Sequence, residues 1–328
     1  MNELKNKIKD LKKKYKRSII NLGNSKAITF PQDWTNKANL KAKSEVALYP
    51  LDDKTIVVQS ADTEERKTVF KLDSSEWPTN LIRQAIISAF KLNIDEIYVK
   101  YNKENKDELY ALLIDLRKEI IGLDFKTLDT QEFYVNFLLD SNKTDVPEVL
   151  SDLAHVFTSI INNLLDGTLR ENNEMLLAEI DRKYSLGTRI LITGLSKYPI
   201  SSGYKKFPII RFLGDRVILL YVRDFINEAL NLQHVPEKFI HKYSHILKDI
   251  SELLKGVVEN HQRIDLDLIS EFQRELQRLC DLLVKINYRE DHQEENQLRD
   301  IIKYFLNAFR NFLDIGITRV IEKRVGLY

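Results

Sequence analysis

The chain has 328 residues and nearly balanced charges, with 50 Lys and Arg against 49 Asp and Glu. Its 43% hydrophobic and 30% charged residues are typical of a globular protein and exclude a disordered or collagen-like chain. It contains no run of about 18 apolar residues, so no membrane insertion is predicted, and its Lys-rich start lacks the apolar segment of a signal peptide. Cys280 is the only cysteine, which excludes an internal disulfide and favours a reducing cytoplasm.

Charge is divided unequally along the chain. Residues 1–60 carry 13 Lys and Arg against 6 Asp and Glu, a balance of +7. The other 268 residues carry 37 against 43, a balance of −6. Segregated charge is informative about partners. A basic head on a mildly acidic body predicts a polyanionic partner at one end of the protein.

The first 60 residues predict a basic segment, 1–16, and a small β-rich unit, 17–60. In the basic segment apolar side chains recur at helical spacing, so it could form a short helix or an arm. The elements predicted next are strand 17–22, the turn Gly23-Asn24-Ser25, strand 26–30, helix 31–38 and the strands "SEVALYP" and "TIVVQS". This β-β-α-β-β unit is too thin to bury a core by itself.

Residues 61–140 alternate between strand and helix patterns, which predicts a small α/β subdomain. The predicted strands are "RKTVFKLD", "EIYVKY" and "EFYVNFLLD", and the predicted helices are "WPTNLIRQAIISAFKLN" and "KDELYALLIDLRKEIIG". From Pro147 onward the apolar period is helical and no strand is predicted. Helical stripes start at Val149 and Leu176, and further helices are predicted near 208–232, 236–260, 264–287 and 294–325. The pattern predicts tandem three-helix bundles at 141–234 and 235–328, and an α+β multidomain fold class overall.

Residues 17–60 resemble the AbrB/SpoVT family of swapped-hairpin DNA-binding domains. The resemblance is carried by the basic residue that opens the strand in "RSIINLGNSKAITFPQDW", its Gly-x-Ser turn, and the Pro and Trp that follow. The stretch "LKAKSEVALYPLDDKTIVV" is similar to the family's Leu-x-x-Gly-Asp-x-Val strand and hairpin, but Lys43, Ser44 and Glu45 stand where Gly-Asp-x is expected. The resemblance implies a dimeric β-barrel built from the interlaced hairpins of two chains, and thus a homodimer through the N-terminal hairpins.

The helical region 147–328 resembles the PhoU family of phosphate uptake regulators, which are two repeated three-helix bundles. The order of an AbrB-like head, an α/β middle and PhoU-like repeats is similar to a group of archaeal PhoU-like proteins. This resemblance implies a protein partner on the helical bundles and a role in phosphate uptake.

The basic head is the candidate DNA-binding site. Lysines and an arginine cluster beside the first strand, and contacts of this kind to phosphates release counterions and give salt-sensitive affinity. By resemblance, Arg17 matches the basic residue that opens the family's first strand. The candidate DNA-binding residues are Lys12, Lys13, Lys14, Lys16, Arg17, Lys26, Lys37 and Lys41. Lys outnumbers Arg among them, which favours contacts to the DNA backbone over base readout. A solvated charged surface is the alternative interpretation.

The sequence predicts no metal site, cofactor or catalytic residue. The resemblance to PhoU implies a Glu-x-x-x-Asp pair in each bundle, but Asp215 is followed by Leu219, and Leu306 and Arg310 precede Asp314. The ladder Glu237, His241, His245 and Asp249 falls on the side of its helix opposite the apolar stripe, so a solvated face is expected. The row Asp267, Glu271 and Glu275 is interpreted as surface charge. No Gly-rich phosphate loop, G-x-S-x-G motif or Cys-His pair is found.

The sequence therefore predicts a cytoplasmic, homodimeric regulator that binds double-stranded DNA through its head. Its helical bundles would form an interaction or sensing module. Two alternatives stay open at this point. One is a chromatin-like DNA binder of low sequence specificity. The other is an adaptor that contacts a phosphate transporter or sensor kinase and uses the hairpins only to dimerise. A metal-dependent enzyme is a more distant third.

Overall fold

The computed structural model describes residues 15–61, 67–139, 144–169, 174–196, 209–262, 265–285 and 293–325. The chain divides into two compact units, residues 1–66 and residues 67–328. We call them the head unit and the body unit. None of the helices within the described ranges is both long and apolar enough to cross a bilayer.

The head unit contains two hairpins and one short helix. Strands β1 (Ile20–Leu22) and β2 (Ser25–Ala27) pair antiparallel around a two-residue turn. Gly23 has a φ of +59°, a value that a tight hairpin turn requires of its first central residue. Helix α1 (Gln32–Lys37) follows, and β3 (Val46–Asp52) pairs antiparallel with β4 (Thr55–Ser60).

The two hairpins form separate two-stranded sheets, and the described residues of the single chain form no closed barrel. No side chain of residues 15–61 whose exposure is described is buried. The prediction that this unit is too thin to hold its own core is confirmed for the described residues.

The body unit starts with a four-stranded sheet covered on one face by two helices. Its strands are β5 (Val69–Asp73), β6 (Glu96–Lys100), β7 (Leu123–Leu128) and β8 (Glu132–Phe137), in the spatial order β5-β6-β8-β7. Strands β5 and β6 run parallel because helix α2 (Thr79–Lys91) crosses between them, whereas β8 pairs antiparallel with both β6 and β7. Helices α2 and α3 (Lys106–Glu119) pack on the buried sheet residues Leu72, Ile97, Val99, Phe133 and Val135.

Seven α-helices and a short 3-10 helix, Leu232–His234, make up the rest of the described body unit. The α-helices are α4 (Val146–Leu165), α5 (Glu174–Ser196), α6 (Ile209–Asn231), α7 (Glu237–Lys242), α8 (Ser244–Asn260), α9 (Leu266–Val284) and α10 (Gln293–Val325). Aspartates begin two of them, because the Asp145 carboxylate accepts a hydrogen bond from the Glu148 amide at 2.9 Å and Asp265 accepts one from Leu268 at 3.0 Å.

The two predicted bundles share one continuous hydrophobic core. Helix α4 packs on α5, α6 and α8, and α10 packs on α6 and α9. Phe225 of α6 stacks on Phe305 of α10 with ring centroids 4.7 Å apart, and Phe157 of α4 meets both rings edge-on. Aromatic rings from both predicted bundles thus meet at the centre of this core.

Arg189 joins the helical region to the α/β layer. This buried side chain of α5 donates to the Phe90 carbonyl at the C-terminus of α2 at 2.7 Å and lies over the rings of Phe90 and Phe137. Burial lowers the pKa of Arg189 to about 10, so the guanidinium stays charged at neutral pH. The partial negative charge of the helix C-terminus stabilises that cation.

Several predicted boundaries were wrong. The strands predicted at 17–22 and 26–30 are shorter, at Ile20–Leu22 and Ser25–Ala27. The helix predicted at 236–260 is interrupted at Tyr243, where one helix ends and the next begins. The last predicted strand stops at Phe137 rather than running to residue 140. Strand β7 lies outside the predicted elements, since residues 106–122 were assigned to a helix that ends at Glu119. Gly122, with a φ of +73°, makes the turn into this strand, and a Cβ there would lie 2.9 Å from the Leu138 carbonyl oxygen.

Candidate nucleic-acid interface

The described candidate cations all lie exposed on the head unit. They are Lys16, Arg17, Lys26, Lys37 and Lys41. Lys12, Lys13 and Lys14 lie outside the described residues. Of the five, Lys16, Arg17, Lys26 and Lys41 make no ion pair with any described residue. Their charges are therefore not neutralised by described carboxylates, as contacts to phosphate require.

The first hairpin separates polar from apolar side chains. Lys26 lies directly across from Asn21, and its ammonium donates a hydrogen bond to the Asn21 side-chain oxygen. Ile20, Leu22 and Ala27 occupy the other face, because adjacent strand residues point to opposite sides. One hairpin face thus carries a cation and an amide, and the other is mainly apolar, with Ser25 opposite Leu22.

An aromatic contact positions the cation at the start of this hairpin. The Arg17 guanidinium lies 5.9 Å from the centre of the Tyr15 ring. The Tyr15 hydroxyl donates to the Asp33 carboxylate of α1 at 3.3 Å. The tilted rings of Phe30 and Trp34 meet at the start of the same helix, with their centroids 5.0 Å apart. Short-range contacts in the described head unit therefore hold Arg17 beside α1.

The turn at Lys41–Ser44 contains a left-handed residue although it has no glycine. Lys43 has a φ of +73°, a left-handed conformation that costs a residue with a Cβ about 1–2 kcal/mol. The Ser44 hydroxyl accepts a hydrogen bond from the Lys41 amide at 2.9 Å, and the Ser44 amide donates to the Lys41 carbonyl at 3.0 Å. Lys43 is also an exposed cation beside Lys41, and the sequence-based set omitted it.

Both hairpins leave one apolar face open in the head unit. Ile20 and Leu22 are 50% and 68% exposed, and on the second hairpin Leu48 and Ile56 are each 60% exposed. In the second hairpin Leu48 lies opposite Val58, and Ile56 opposite Pro50, so these side chains share a face. Each such side chain gains about 1.5–3 kcal/mol when fully buried. These exposed faces could form a hydrophobic core if a second apolar surface covered them.

The helical region gives other roles to the positions where the PhoU resemblance implies a carboxylate pair. Asp215, where a carboxylate pair was sought, is buried and pairs with the buried Arg319 at 2.6 Å. Arg319 also donates to the His261 carbonyl, and the His261 ring lies 3.8 Å from the Asp215 carboxylate. Burial lowers the pKa of His261 and outweighs the Asp215 carboxylate, which raises it, while the Arg319 guanidinium lowers it further, so the ring is neutral at pH 7. The Arg319 guanidinium therefore neutralises the buried Asp215 carboxylate, in place of a metal ion.

A second buried ion pair, Arg211 with Glu322, lies at 3.3 Å and joins the same two helices, α6 and α10. Sequence reasoning missed both pairs, because their partners lie more than 100 residues apart. The only available signal was the presence of charged residues within apolar helical stripes.

The other candidate positions lie where the pattern predicted. His241 and His245 are exposed, which confirms their predicted orientation, and the helix break at Tyr243 falls between them. Among the residues that the structure describes, no three His, Cys, Asp or Glu side chains cluster in a way that could hold a metal ion. Asp267 and Glu271 are exposed, and Glu275 pairs with Arg278.

Comparisons with protein-family models, curated proteins and solved structures found no match to this chain. The resemblances carried by its residues therefore remain predictions.

Proposed function

We propose that the protein is a homodimeric regulator that binds double-stranded DNA through its head unit. In this proposal two head units interlace their hairpins into an AbrB-like barrel, and the helical region acts as a PhoU-like interaction module. The observation that carries the proposal is the composition of the head unit. It combines exposed cations that no described carboxylate neutralises with apolar hairpin faces that no described residue covers.

The open apolar faces support the dimer. Four side chains, each at least half exposed, would gain about 1 kcal/mol apiece when covered, or about 8 kcal/mol for two chains. That gain is comparable to the estimated cost of association, about 4–15 kcal/mol, before the strand hydrogen bonds of an interlaced barrel are added. A second copy of the same unit offers matching faces, as a two-fold interface requires.

The backbone at Lys43 supports the resemblance of the head unit. The sequence departs from the Leu-x-x-Gly-Asp-x-Val pattern at this position, yet the φ of +73° is one that glycine adopts most readily. The next residue, Ser44, supplies a side-chain oxygen that accepts from the Lys41 amide. Such a bond is also available to an aspartate, the residue that the pattern expects there.

The salt dependence of DNA binding tests the proposal. The logarithm of affinity should fall linearly with the logarithm of salt concentration, with a slope of about −0.9 for each phosphate contacted. Replacing Lys16, Arg17 and Lys26 with Glu removes three cations per chain. In a dimer that makes all six contacts, the slope should weaken by about 5. Fluorescence anisotropy on a random duplex across a salt series measures this slope.

The matched control places the same charge change on the helical region. Lys248, Lys303 and Lys323 are exposed, and none makes an ion pair with a described residue. Replacing them with Glu should leave the slope within about 1 of the original protein. Equal weakening by both triple variants would mean that overall charge, not the head unit, drives binding, and the proposal would be wrong.

Light scattering tests the dimer separately. The intact chain should have twice the mass of one chain, and Leu22→Asp with Ile56→Asp should reduce it to a monomer by placing charge on the apolar faces. Leu92→Asp, at an exposed leucine of the body unit, is the control and should stay dimeric. A stable, folded monomer of the original sequence would refute the interlaced head.

The adaptor alternative predicts a different combination of results. It keeps the dimer, since the apolar hairpin faces favour association whether or not DNA binds. It predicts no DNA binding even at low salt. A role in phosphate uptake rests on the PhoU resemblance alone, and transcript levels under phosphate limitation, with and without the protein, test it. Selection of bound fragments from a random DNA pool separates a sequence-specific regulator from a chromatin-like binder.

A further inference from the structure

An open groove of about 410 Å³ lies between helices α8, α9 and α10 of the body unit. Its floor is apolar and consists of Leu253, Val257, Ile269, Phe272 and Phe312. The residues that α8 contributes run from Asp249 to Asn260 at helical spacing, so they form one face of that helix about 16 Å long. The groove therefore extends over about three helical turns.

The rim of the groove is acidic. Four carboxylates line it, from Asp249 and Glu252 on α8 and from Glu271 and Glu275 on α9, and no Lys or Arg is among the described lining residues. Arg278 pairs with Asp249 and Glu275 from outside the groove. Glu252 and Glu271 are exposed and make no ion pair with a described residue. A carboxylate on each side of the apolar floor is thus available to a cationic occupant.

A glycine lies in the wall of the groove. Gly256 lies within α8, where glycine costs a helix about 1 kcal/mol relative to alanine. A Cβ at this position would meet no atom within 4 Å. The packing of the described chain does not require a glycine here. Its absent side chain instead leaves space for an occupant to lie close to the helix.

We propose that this groove binds a basic amphipathic helix of a partner protein. An apolar stripe on the partner would cover the floor, and its flanking Lys or Arg side chains would meet Glu252 and Glu271. The length, the apolar floor and the unpaired carboxylates on both sides together match a helix bound in a groove. The inference rests on the proposed role of the helical region as an interaction module and is independent of whether the head unit binds DNA.

Charge complementarity favours this occupant over a second copy of the body unit, because two acidic rims would repel each other. Charge complementarity also specifies a positively charged partner, since an acidic helix would bring like charges together on both sides of the floor. The partner's chemistry is therefore specified by the groove: apolar residues at helical spacing and cations beside them.

Peptide binding to the full-length protein tests the inference. The probe is a labelled peptide of about 14 residues, with Leu at helical spacing and Lys beside it, which spans about 21 Å as a helix. The matched peptide has Glu in place of every Lys. Fluorescence anisotropy should show at least about tenfold tighter binding of the Lys peptide. No DNA is present, so failure of this assay and failure of the DNA assay are distinguishable.

Two groove variants and one control locate the binding site. Gly256→Phe fills the groove, and Glu252→Lys with Glu271→Lys reverses its rim, so each should weaken the Lys peptide at least about tenfold. Glu259→Lys with Asp267→Lys changes exposed carboxylates of the same helices that do not line the groove, and should change affinity less than about threefold. Circular dichroism melting of every variant confirms that it is folded, and only folded variants are compared.

Each contrary result overturns the inference. Equal affinity for the two peptides, or no binding of either, would exclude a cationic helix as the occupant. Equal weakening by the groove and control variants would place the peptide elsewhere on the acidic body. A change in oligomeric state caused by Gly256→Phe, with peptide affinity unchanged, would identify a second copy of the chain as the occupant.

Discussion

Removing the buried guanidinium of Arg319 should destabilise the body unit strongly. Asp215 and Arg319 are 2% and 3% exposed, so solvent can replace neither partner. Arg319→Met keeps much of the side-chain volume but leaves the Asp215 carboxylate buried without its cation. Breaking one side of such a pair costs about 3–5 kcal/mol, mainly through desolvation of the remaining charge. Urea unfolding followed by circular dichroism measures the loss.

The double variant separates the charge from the packing. Adding Asp215→Leu to Arg319→Met removes the unpaired carboxylate, so stability should recover by about 2 kcal/mol or more. Lys303→Met is the control, because Lys303 is exposed on the same helix and makes no ion pair with a described residue, so it should change stability by less than about 0.5 kcal/mol. An Arg319→Met loss no larger than this control would refute the reasoning that the buried pair stabilises the contact between α6 and α10.

Three further predictions follow from single positions in the described chain. The lowered pKa of His261 means that the unfolded chain binds a proton below pH 6.5 that the folded chain does not. The free energy of unfolding should therefore fall as pH drops, by up to about 1.4 kcal/mol per pH unit. Urea titrations at several pH values should show that this free energy depends less on pH in His261→Gln. Gly256→Ala should raise stability by about 0.5–1 kcal/mol, whereas Gly187→Ala should lower the melting temperature because its Cβ would lie 2.8 Å from a Leu219 methyl; equal effects in calorimetry would contradict this contrast. Lys43→Gly should stabilise the head unit by about 1 kcal/mol by removing left-handed strain, and a loss of stability in chemical unfolding would contradict strain at this position.

The elements that sequence predicted well depend on neighbours in the chain. Gly23 placed the first hairpin turn because positive φ is a local requirement, and apolar residues at helical spacing placed the helices within a few residues of their ends. The charge difference between residues 1–60 and the rest, and the thinness of the head, were also visible in the sequence alone. The exposed orientation of His241 and His245 came directly from the helical period.

Elements that depend on distant residues were not predictable in the same way. Strand β7 forms because β8 supplies its backbone hydrogen bonds. From the sequence, the residues directly before it, up to Gly122, were predicted to be helical. Residues 123–128 have only a weak local preference for a strand, and pairing with β8 decides their conformation. The break at Tyr243 likewise falls inside a stretch whose apolar period looks continuous.

The sequence by itself determined which segments are helical, which are basic and which cannot bury a core, because periodicity and charge are properties of consecutive residues. Tertiary structure alone decided that Asp215 meets Arg319 across 104 residues, that Lys43 adopts a left-handed backbone, and that Gly256 lines a groove with an acidic rim. The physical reason is that partners of buried charges and the walls of a groove come from separate helices, whose relative packing is set by the shared core.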